Sequence, residues 1–104
     1  MTDILTISTT CATEAEAERL AHLLVVQKLA ACVQMTPIRS TYRWQGEIET
    51  TNEVLLTAKT VSAKLFALEA LIEAEHSYEV PEILATRVEW ASAHYAAWLR
   101  EALS

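Results

Sequence analysis

The run of residues from 31 to 59 constrains the fold more than any other stretch, because it is extended throughout and contains the only glycine of the chain. Gln45-Gly46 divides this run into two halves of similar length. Apolar side chains alternate in each half, which is the two-residue period of a strand. These alternating residues are Tyr42 and Trp44 before the glycine and Val54, Leu56 and Ala58 after it. The pattern predicts a long β-hairpin, in which Pro37 marks a bulge or a sheet edge.

An amphipathic helix is predicted on each side of this hairpin. Thr13 and Glu16 have the spacing of a capping box, and apolar residues recur at helical intervals up to about Leu29. The helical period returns over residues 61–75. A β-branched run at 4–10 predicts the first strand, and alternation over residues 83–88 predicts the last.

Ser92 is expected to cap one more short helix at the C-terminal end. The resulting order is strand, helix, hairpin, helix, strand, which is the order of an α+β, ferredoxin-like β-α-β-β-α-β sandwich with an extra C-terminal helix. At 104 residues, we expect residues 1–104 to form a single domain.

Self-association is predicted from the sheet. In a ferredoxin-like sandwich the two main helices cover only one sheet face. The strand from Val54 to Lys59 nevertheless has apolar residues on both faces, with Leu55 on one and Leu56 on the other. In the first strand, Ile4 likewise lies on the opposite face from its apolar neighbours. An apolar sheet face without a cover marks an association surface. The sequence therefore predicts a homo-oligomer.

Charge and hydropathy exclude several classes of partner. The net charge is -6 with only eight Lys and Arg residues, whereas nucleic acids and anionic membrane surfaces require a basic face. No run approaches the ~18 apolar residues that span a bilayer, and Met1-Thr2-Asp3-Ile4 does not begin a secretory leader. We expect a cytoplasmic protein with no nucleic-acid or membrane partner.

The segment from His76 to Ile83 contains several polar side chains that could take part in ligand binding or catalysis. Pro81 pushes Val80 toward an extended conformation, so a helix must end here and a strand begin. If the first strand lies between the third and fourth, its end at Cys11 lies close to His76. The simpler interpretation is a well-formed turn with exposed charges, and the residues alone do not decide between the two.

Three chemical hypotheses follow for these side chains. Cys11 and His76, with Glu79 or a neighbouring subunit, would suit copper or zinc, although buried cysteines acting as small hydrophobic residues are more common. Cys11 and His76 could instead form a nucleophile pair, but no orienting third residue is evident. The third hypothesis is an anion pocket, for which a surface ion pair is the simpler alternative. Its residues would be Lys59, Arg43 and Tyr42 against Glu82.

The two cysteines are not expected to form a disulfide. Cys32 begins the second strand, at the end of the sheet opposite Cys11. We therefore expect the distance between their Cα atoms to exceed the ~7 Å that a disulfide tolerates. Free thiols suit a reducing compartment. Trp44 and Trp98 are more often core or interface anchors than ligand platforms.

Several of these motifs, in this order, resemble the CutA divalent-cation tolerance family from about residue 4 to 100. The segments that carry the resemblance are Leu29-Ala30-Ala31-Cys32-Val33, Ser40-Thr41-Tyr42-Arg43-Trp44-Gln45-Gly46, Glu53-Val54-Leu55-Leu56, Lys59-Thr60, the His76 to Ile83 segment, Tyr95 and Trp98-Leu99. The resemblance implies a tight homotrimer similar to PII signalling trimers, with the hairpin reaching onto a neighbour. It implies a role in tolerance to divalent cations, copper especially, without catalysis.

Residue by residue, the resemblance implies two groups of functional side chains. Cys32 and His76, joined by Cys11 from the metal hypothesis above, would be metal ligands for copper or another divalent cation, with no organic cofactor. Trp44, Lys59, Tyr78 and Glu82 would line a ligand-binding cleft between subunits, for a metal or a small anion. The alternative function is a PII-like signalling or protein-interaction scaffold with incidental metal binding. The family pattern is broken at Ala12, Thr86-Arg87 and Ala91.

Overall fold

The computed structural model describes residues 2–104 and contains four strands and three α-helices over that range. A 3-10 turn at Ser62–Lys64 leads into the second helix. The elements in chain order are β1 (Ile4–Cys11), α1 (Glu14–Val26), β2 (Cys32–Trp44), β3 (Glu47–Val61), α2 (Leu65–Glu75), β4 (Leu84–Arg87) and α3 (Ala93–Leu103).

The strands form one antiparallel sheet in the order β2-β3-β1-β4, so the predicted ferredoxin-like topology is confirmed. The hairpin is paired without a skipped residue from Cys32 opposite Lys59 to Trp44 opposite Glu47. Gln45 and Gly46 both have positive φ, 50° and 83°, as the favoured two-residue hairpin turn requires. Pro37 lies in β2, an outer strand of the sheet, which is where a proline within a strand is expected.

The main core lies between the sheet and the helices α1 and α2. Thr13 begins α1, because its side chain accepts a hydrogen bond from the Glu16 N–H. The apolar stripes of both helices then pack against the inward residues of β1 and β3. The buried core residues on this side include Leu5, Ile7, Cys11, Leu20, Leu24, Leu56, Leu68 and Ile72.

The second sheet face is only partly covered, and it is not the apolar surface that the sequence predicted. At one end α3 packs on Ile4 and Val61. In the part of the sheet that α3 does not reach, Val54, Leu56 and Ala58 of β3 point toward the helices α1 and α2. Leu55 is therefore the only apolar residue of this part of β3 that points to the uncovered face. The central residues of the uncovered face are otherwise polar, namely Thr6, Ser8, Thr10, Thr57 and Lys59. The expectation of an apolar uncovered face is therefore wrong.

Exposed apolar side chains lie instead on the hairpin and around the sheet rim. The molecule measures 45 × 25 × 22 Å. On the hairpin Tyr42 and Trp44 are each 40% exposed, and Ile48 is 62% exposed. At the rim, Leu84 and Trp90 are exposed as well. None of the helices in residues 2–104 has the length and hydrophobicity needed to cross a membrane.

Candidate functional site

His76 lies in a buried polar contact where α2 ends. Its side chain is fully buried, and its backbone is extended, which ends the helix. The Tyr78 N–H donates to His76 Nδ1 at 3.0 Å, and Nε2 lies 2.7 Å from the Thr10 carbonyl oxygen. Because an amide N–H only donates and a carbonyl only accepts, the ring must be the neutral tautomer with its proton on Nε2. Both ring nitrogens are therefore already in use.

Cys11 lies next to this ring, as the predicted strand order required. Its Sγ is 3.9 Å from His76 Nε2, and the residue has no exposed surface. Burial, together with the nearby carboxylates of Glu16 and Glu53, raises the pKa of the Cys11 thiol to about 11. The thiol is therefore protonated at neutral pH. A nucleophilic cysteine requires the opposite shift, so this geometry gives no support to the Cys-His nucleophile hypothesis.

The residues of one protomer do not fit a metal centre. His76 has no free lone pair, Cys11 is a neutral thiol, and metals bind thiolate and free imidazole nitrogen. Cys32 pairs with Lys59 near one end of β3, whereas Cys11 pairs with Val54 in the middle of that strand. Both cysteines are free. Across residues 2–104 no group of three His, Cys, Asp or Glu side chains could hold a metal ion. The metal role of Cys11, His76 and Cys32 stays a prediction that needs atoms from another protomer.

The segment that follows His76 is held in place by two carboxylates. Glu16 on α1 accepts hydrogen bonds from the Ser77 N–H at 2.8 Å and from the Ser77 hydroxyl at 3.0 Å. Burial alone would raise the pKa of Glu16, but the Ser77 hydrogen bonds outweigh it and the pKa is lowered. Further along, the Ser8 hydroxyl donates to Glu82 Oε2 at 2.9 Å. These contacts fix the segment against the end of the sheet.

Between this segment and the hairpin lies an open cleft of about 590 Å³. We call it the hairpin cleft. Its lining residues are Thr10, Ser40, Thr41, Tyr42, Trp44, Glu53, Ser77, Tyr78, Glu79, Val80 and Glu82. The structure thus brings together three of the four predicted cleft residues: Trp44, Tyr78 and Glu82.

Glu53 is the residue of this cleft that sequence reasoning missed as a site residue. It is only 8% exposed, and the Tyr78 hydroxyl donates to its Oε2 at 2.7 Å. Burial and the adjacent Glu53 raise the pKa of Tyr78 far above the usual range, so its phenol remains a donor. Glu53 begins one of the segments that carry the family resemblance, but nothing in that segment marks it as a site residue. Its position follows from a hairpin register that places it opposite Ile38.

Lys59 lies in a second, smaller cleft of about 310 Å³ at the other end of the sheet. We call this the lysine cleft, and it is lined by Ile4, Thr6, Lys59, Val88, Trp90, Ala91, Ser92, Tyr95 and Leu99. Lys59 Nζ lies 3.4 Å from the Tyr95 hydroxyl and 5.5 Å from the centre of its ring. Cys32 is the cross-strand partner of Lys59.

The anion pocket of Lys59 with Tyr42, Arg43 and Glu82 does not form within one protomer. The register places Lys59 opposite Cys32, whereas Tyr42 pairs with Glu49 near the hairpin turn. At ~3.3 Å per residue, Lys59 and Glu49 are roughly 33 Å apart along β3. The length of the hairpin therefore separates these side chains in a single chain, and the anion pocket stays a prediction that needs residues from more than one subunit.

Comparison with known proteins gives one consistent result. The family model of the CutA1 divalent ion tolerance protein matches residues 5–102. The "Divalent-cation tolerance protein CutA" of Thermus thermophilus is 41% identical over 93 residues, covering 88% of this chain and 90% of the relative. "Protein CutA" of Homo sapiens is 41% identical over 93 residues, covering 88% of this chain and 52% of the human protein. The chain therefore spans about half the length of that human relative.

Solved structures agree over the whole fold. The structure of CutA from Synechococcus elongatus matches with a TM-score of 0.97 and 41% identity, covering 100% of this chain and 93% of that chain. The structure described as the periplasmic divalent cation tolerance protein CutA from Archaeoglobus fulgidus matches with a TM-score of 0.95 and 36% identity, covering 97% and 99%.

Proposed function

This chain belongs to the CutA1 divalent ion tolerance family, and we propose that it acts as a homotrimer whose subunit boundaries bind small charged ligands. The observation that carries the proposal is the exposed hairpin. Trp44 and Ile48 project from a two-stranded ribbon and are 40% and 62% exposed. An isolated two-stranded ribbon is at best marginally stable in water. A neighbouring subunit would supply the packing that it lacks.

The edges of the sheet support the same assembly. β2 and β4 are the two outer strands, so each presents unpaired backbone groups that a second chain can pair with. Leu84, in β4, is 61% exposed, and Val80, in the segment before β4, is exposed as well. Three copies joined in this way would close around an axis and leave no outer strand unpaired.

Charge supports the ligand part of the proposal. The hairpin cleft contains Glu53, Glu79 and Glu82, whereas the lysine cleft contains one cation, Lys59. Within residues 2–104 Lys59 makes no ion pair with a carboxylate, since the ion pairs found there involve Arg19 and Arg100. A small anion would therefore be bound in the lysine cleft. The protein is proposed to bind and not to catalyse.

For divalent cations, copper included, the proposal requires that residues from two protomers share the ion. Cys32 is the most accessible of the predicted ligands, since it is half-buried where Cys11 and His76 are enclosed. The second candidate is a PII-like signalling or protein-interaction scaffold, in which metal binding is incidental. The observation that favours it is that both ring nitrogens of His76 are already hydrogen-bonded and are not free to bind a metal ion. We propose a cytoplasmic location on the strength of the two free thiols.

Calorimetric titration of the purified protein separates these candidates. Copper and zinc would be titrated into the wild type, Cys32→Ser and His76→Ala, with His94→Ala as the matched control because His94 is exposed on α3. A metal-binding protein should lose stoichiometric copper uptake in Cys32→Ser or His76→Ala and keep it in His94→Ala. Equal uptake in all four proteins would support the scaffold.

The lysine cleft has its own test, with citrate as the probe. Lys59→Met removes the positive charge and keeps most of the apolar stem, whereas Lys64→Met removes the same charge at the start of α2. Citrate should bind the wild type and Lys64→Met and be lost in Lys59→Met. Binding that survives in Lys59→Met would refute an anion site here.

A further inference from the structure

We infer that the hairpin tip of one protomer, residues 42–49, occupies the lysine cleft of the next protomer and places a carboxylate of Glu47 or Glu49 against Lys59. The inference rests on the proposed function and adds a means of regulating it. The tethered carboxylate competes with the small anion for the same lysine. The charge, the exposed aromatic surface and the position of the two parts carry the inference in turn.

The lysine cleft combines an apolar surface with a single charge. Lys59 is the only charged residue among the described lining residues, two of which, Trp90 and Tyr95, are 78% and 40% exposed. Within residues 2–104 the Lys59 ammonium donates only to the neutral Tyr95 hydroxyl. The cleft therefore suits a partner that brings aromatic or apolar surface together with a negative charge.

The hairpin tip carries the complementary set of side chains on one face. Trp44 lies directly opposite Glu47, and Tyr42 lies directly opposite Glu49, so each pair shares a side of the ribbon. Both aromatic side chains are 40% exposed, and both glutamates are exposed as well. Neither glutamate makes an ion pair within the described part of the chain, where the pairs involve Arg19 and Arg100. The tip thus offers the aromatic surface and the negative charge that the lysine cleft lacks.

The two surfaces lie too far apart to meet within one chain. Glu47 and Lys59 are roughly 40 Å apart along β3 at ~3.3 Å per residue, in a molecule whose longest dimension is 45 Å. In a closed ring of three copies each interface joins two different surfaces. A surface at one end of a chain can therefore meet the surface at the other end of the next chain.

The lysine cleft also continues the open edge of the sheet that the proposed assembly covers. Val88 and Trp90 line the cleft and follow directly after β4, which ends at Arg87. A neighbour's β2 that pairs along β4 would carry its hairpin tip to this cleft. Because the interface holds the tip there, its carboxylate has a high effective concentration, which lowers the apparent affinity of Lys59 for a free anion.

Coupling of the wild-type protein with a zero-length carbodiimide tests the contact. The reagent joins a carboxylate and an amine with loss of water, and it adds no spacer, so the two groups must touch. We expect an amide between Lys59 and Glu47 or Glu49, identified by mass spectrometry of the digested protein, with dimer and trimer bands on a denaturing gel. Lys59→Met should lose this product, and Lys64→Met should keep it.

Calorimetric titration of citrate tests the competition. The tip variant, Glu47→Gln with Glu49→Gln, should bind citrate about fivefold more tightly than wild type, because the tethered competitor has lost its charge. Glu69→Gln with Glu73→Gln removes the same two charges on α2 and should bind citrate as the wild type does. The coupling experiment needs neither pair of substitutions, so the inference remains testable if the tip variant does not fold.

Three results would overturn the inference. They are a trimer with no coupling between Lys59 and the tip carboxylates, coupling of Lys59 to a different carboxylate of another chain, and a tip variant that binds citrate no more tightly than the α2 variant.

Sedimentation and the citrate titration separate this inference from the proposed function. A monomer contradicts the proposed assembly, and absence of citrate binding in both the wild type and the tip variant contradicts the proposed anion site. A trimer that binds citrate equally with and without the tip carboxylates contradicts only the docking of the tip.

Discussion

At the scale of single residues, His76 joins the end of α2 to the end of β1 through two hydrogen bonds. Its side chain is fully buried, so water does not compete for these bonds. The Thr10 carbonyl and the Tyr78 N–H are its partners. His76→Ala leaves both partly buried groups without these partners, so we expect a loss of about 2–4 kcal/mol in the free energy of unfolding. Urea denaturation at pH 7 measures it.

His94→Ala is the control for that substitution, because His94 lies exposed on α3 and makes no side-chain hydrogen bond within the described chain. Its free energy of unfolding should change by less than about 0.5 kcal/mol. Equal stability of the two alanine variants would show that the His76 contacts contribute nothing.

The thiol of Cys11 gives a second prediction at this scale. Its pKa of about 11 and its complete burial predict that it does not react with a thiol-specific disulfide reagent at pH 8 while the protein is folded. Cys32→Ser isolates this thiol for the measurement. The variant should react with one equivalent of reagent only after denaturant is added, and rapid labelling of the folded variant would be inconsistent with the buried neutral thiol.

Some of these residue contacts could be predicted from sequence and others could not. That Cys11 approaches His76 followed from topology alone, since antiparallel neighbours bring the end of β1 beside the start of β4. The tautomer of His76 and the bond between Tyr78 and Glu53 depend on the path of residues 77–82, for which no periodic signal exists. Positions set by a loop path are therefore the ones that sequence reasoning missed.

At the scale of elements, Glu16 connects α1 to the residue after α2 through Ser77. Because the folded pKa of Glu16 lies below its ordinary value of 4.5, the ionised carboxylate stabilises the fold above that value. This stabilisation is lost as the pH falls through the lowered pKa. Glu16→Gln should therefore cost roughly 1–3 kcal/mol at pH 7, with a difference from wild type that shrinks below pH 4.5.

Glu18→Gln provides the comparison, since Glu18 is exposed on the same helix. Thermal or urea unfolding of wild type and both variants at pH 7, 5 and 3 measures the difference. A Glu16→Gln penalty that stayed constant down to pH 3 would contradict the assigned role of the carboxylate.

The order of the elements was predictable because each has a clear hydrophobic period. The single glycine predicted the hairpin turn, and the capping residues Thr13 and Ser92 predicted where α1 and α3 begin. What could not be predicted was the cover that α3 gives to Ile4 and Val61, because a short helix after the last strand can pack on either sheet face. The prediction of an apolar uncovered face was wrong for that reason. It was also wrong because Leu55 is the only apolar residue in the middle of β3 that faces away from the core.

At the scale of the whole molecule, the exposed hairpin leads to a stability prediction. If Trp44 packs on a neighbouring subunit, Trp44→Ala removes a buried anchor worth ~3–5 kcal/mol per subunit. Phe66→Ala is the matched control, since Phe66 is 80% exposed on α2, away from the hairpin. We expect Trp44→Ala to melt far below wild type and Phe66→Ala to melt close to it, and equal melting of all three would contradict the docking of the hairpin.

The central claim is that the exposed hairpin and the two open sheet edges are covered by further copies of the same chain. Sedimentation equilibrium of the wild type at micromolar concentration tests it most directly. The account predicts one species with three times the 11.6 kDa mass of the chain. A species at 11.6 kDa under the same conditions would contradict it.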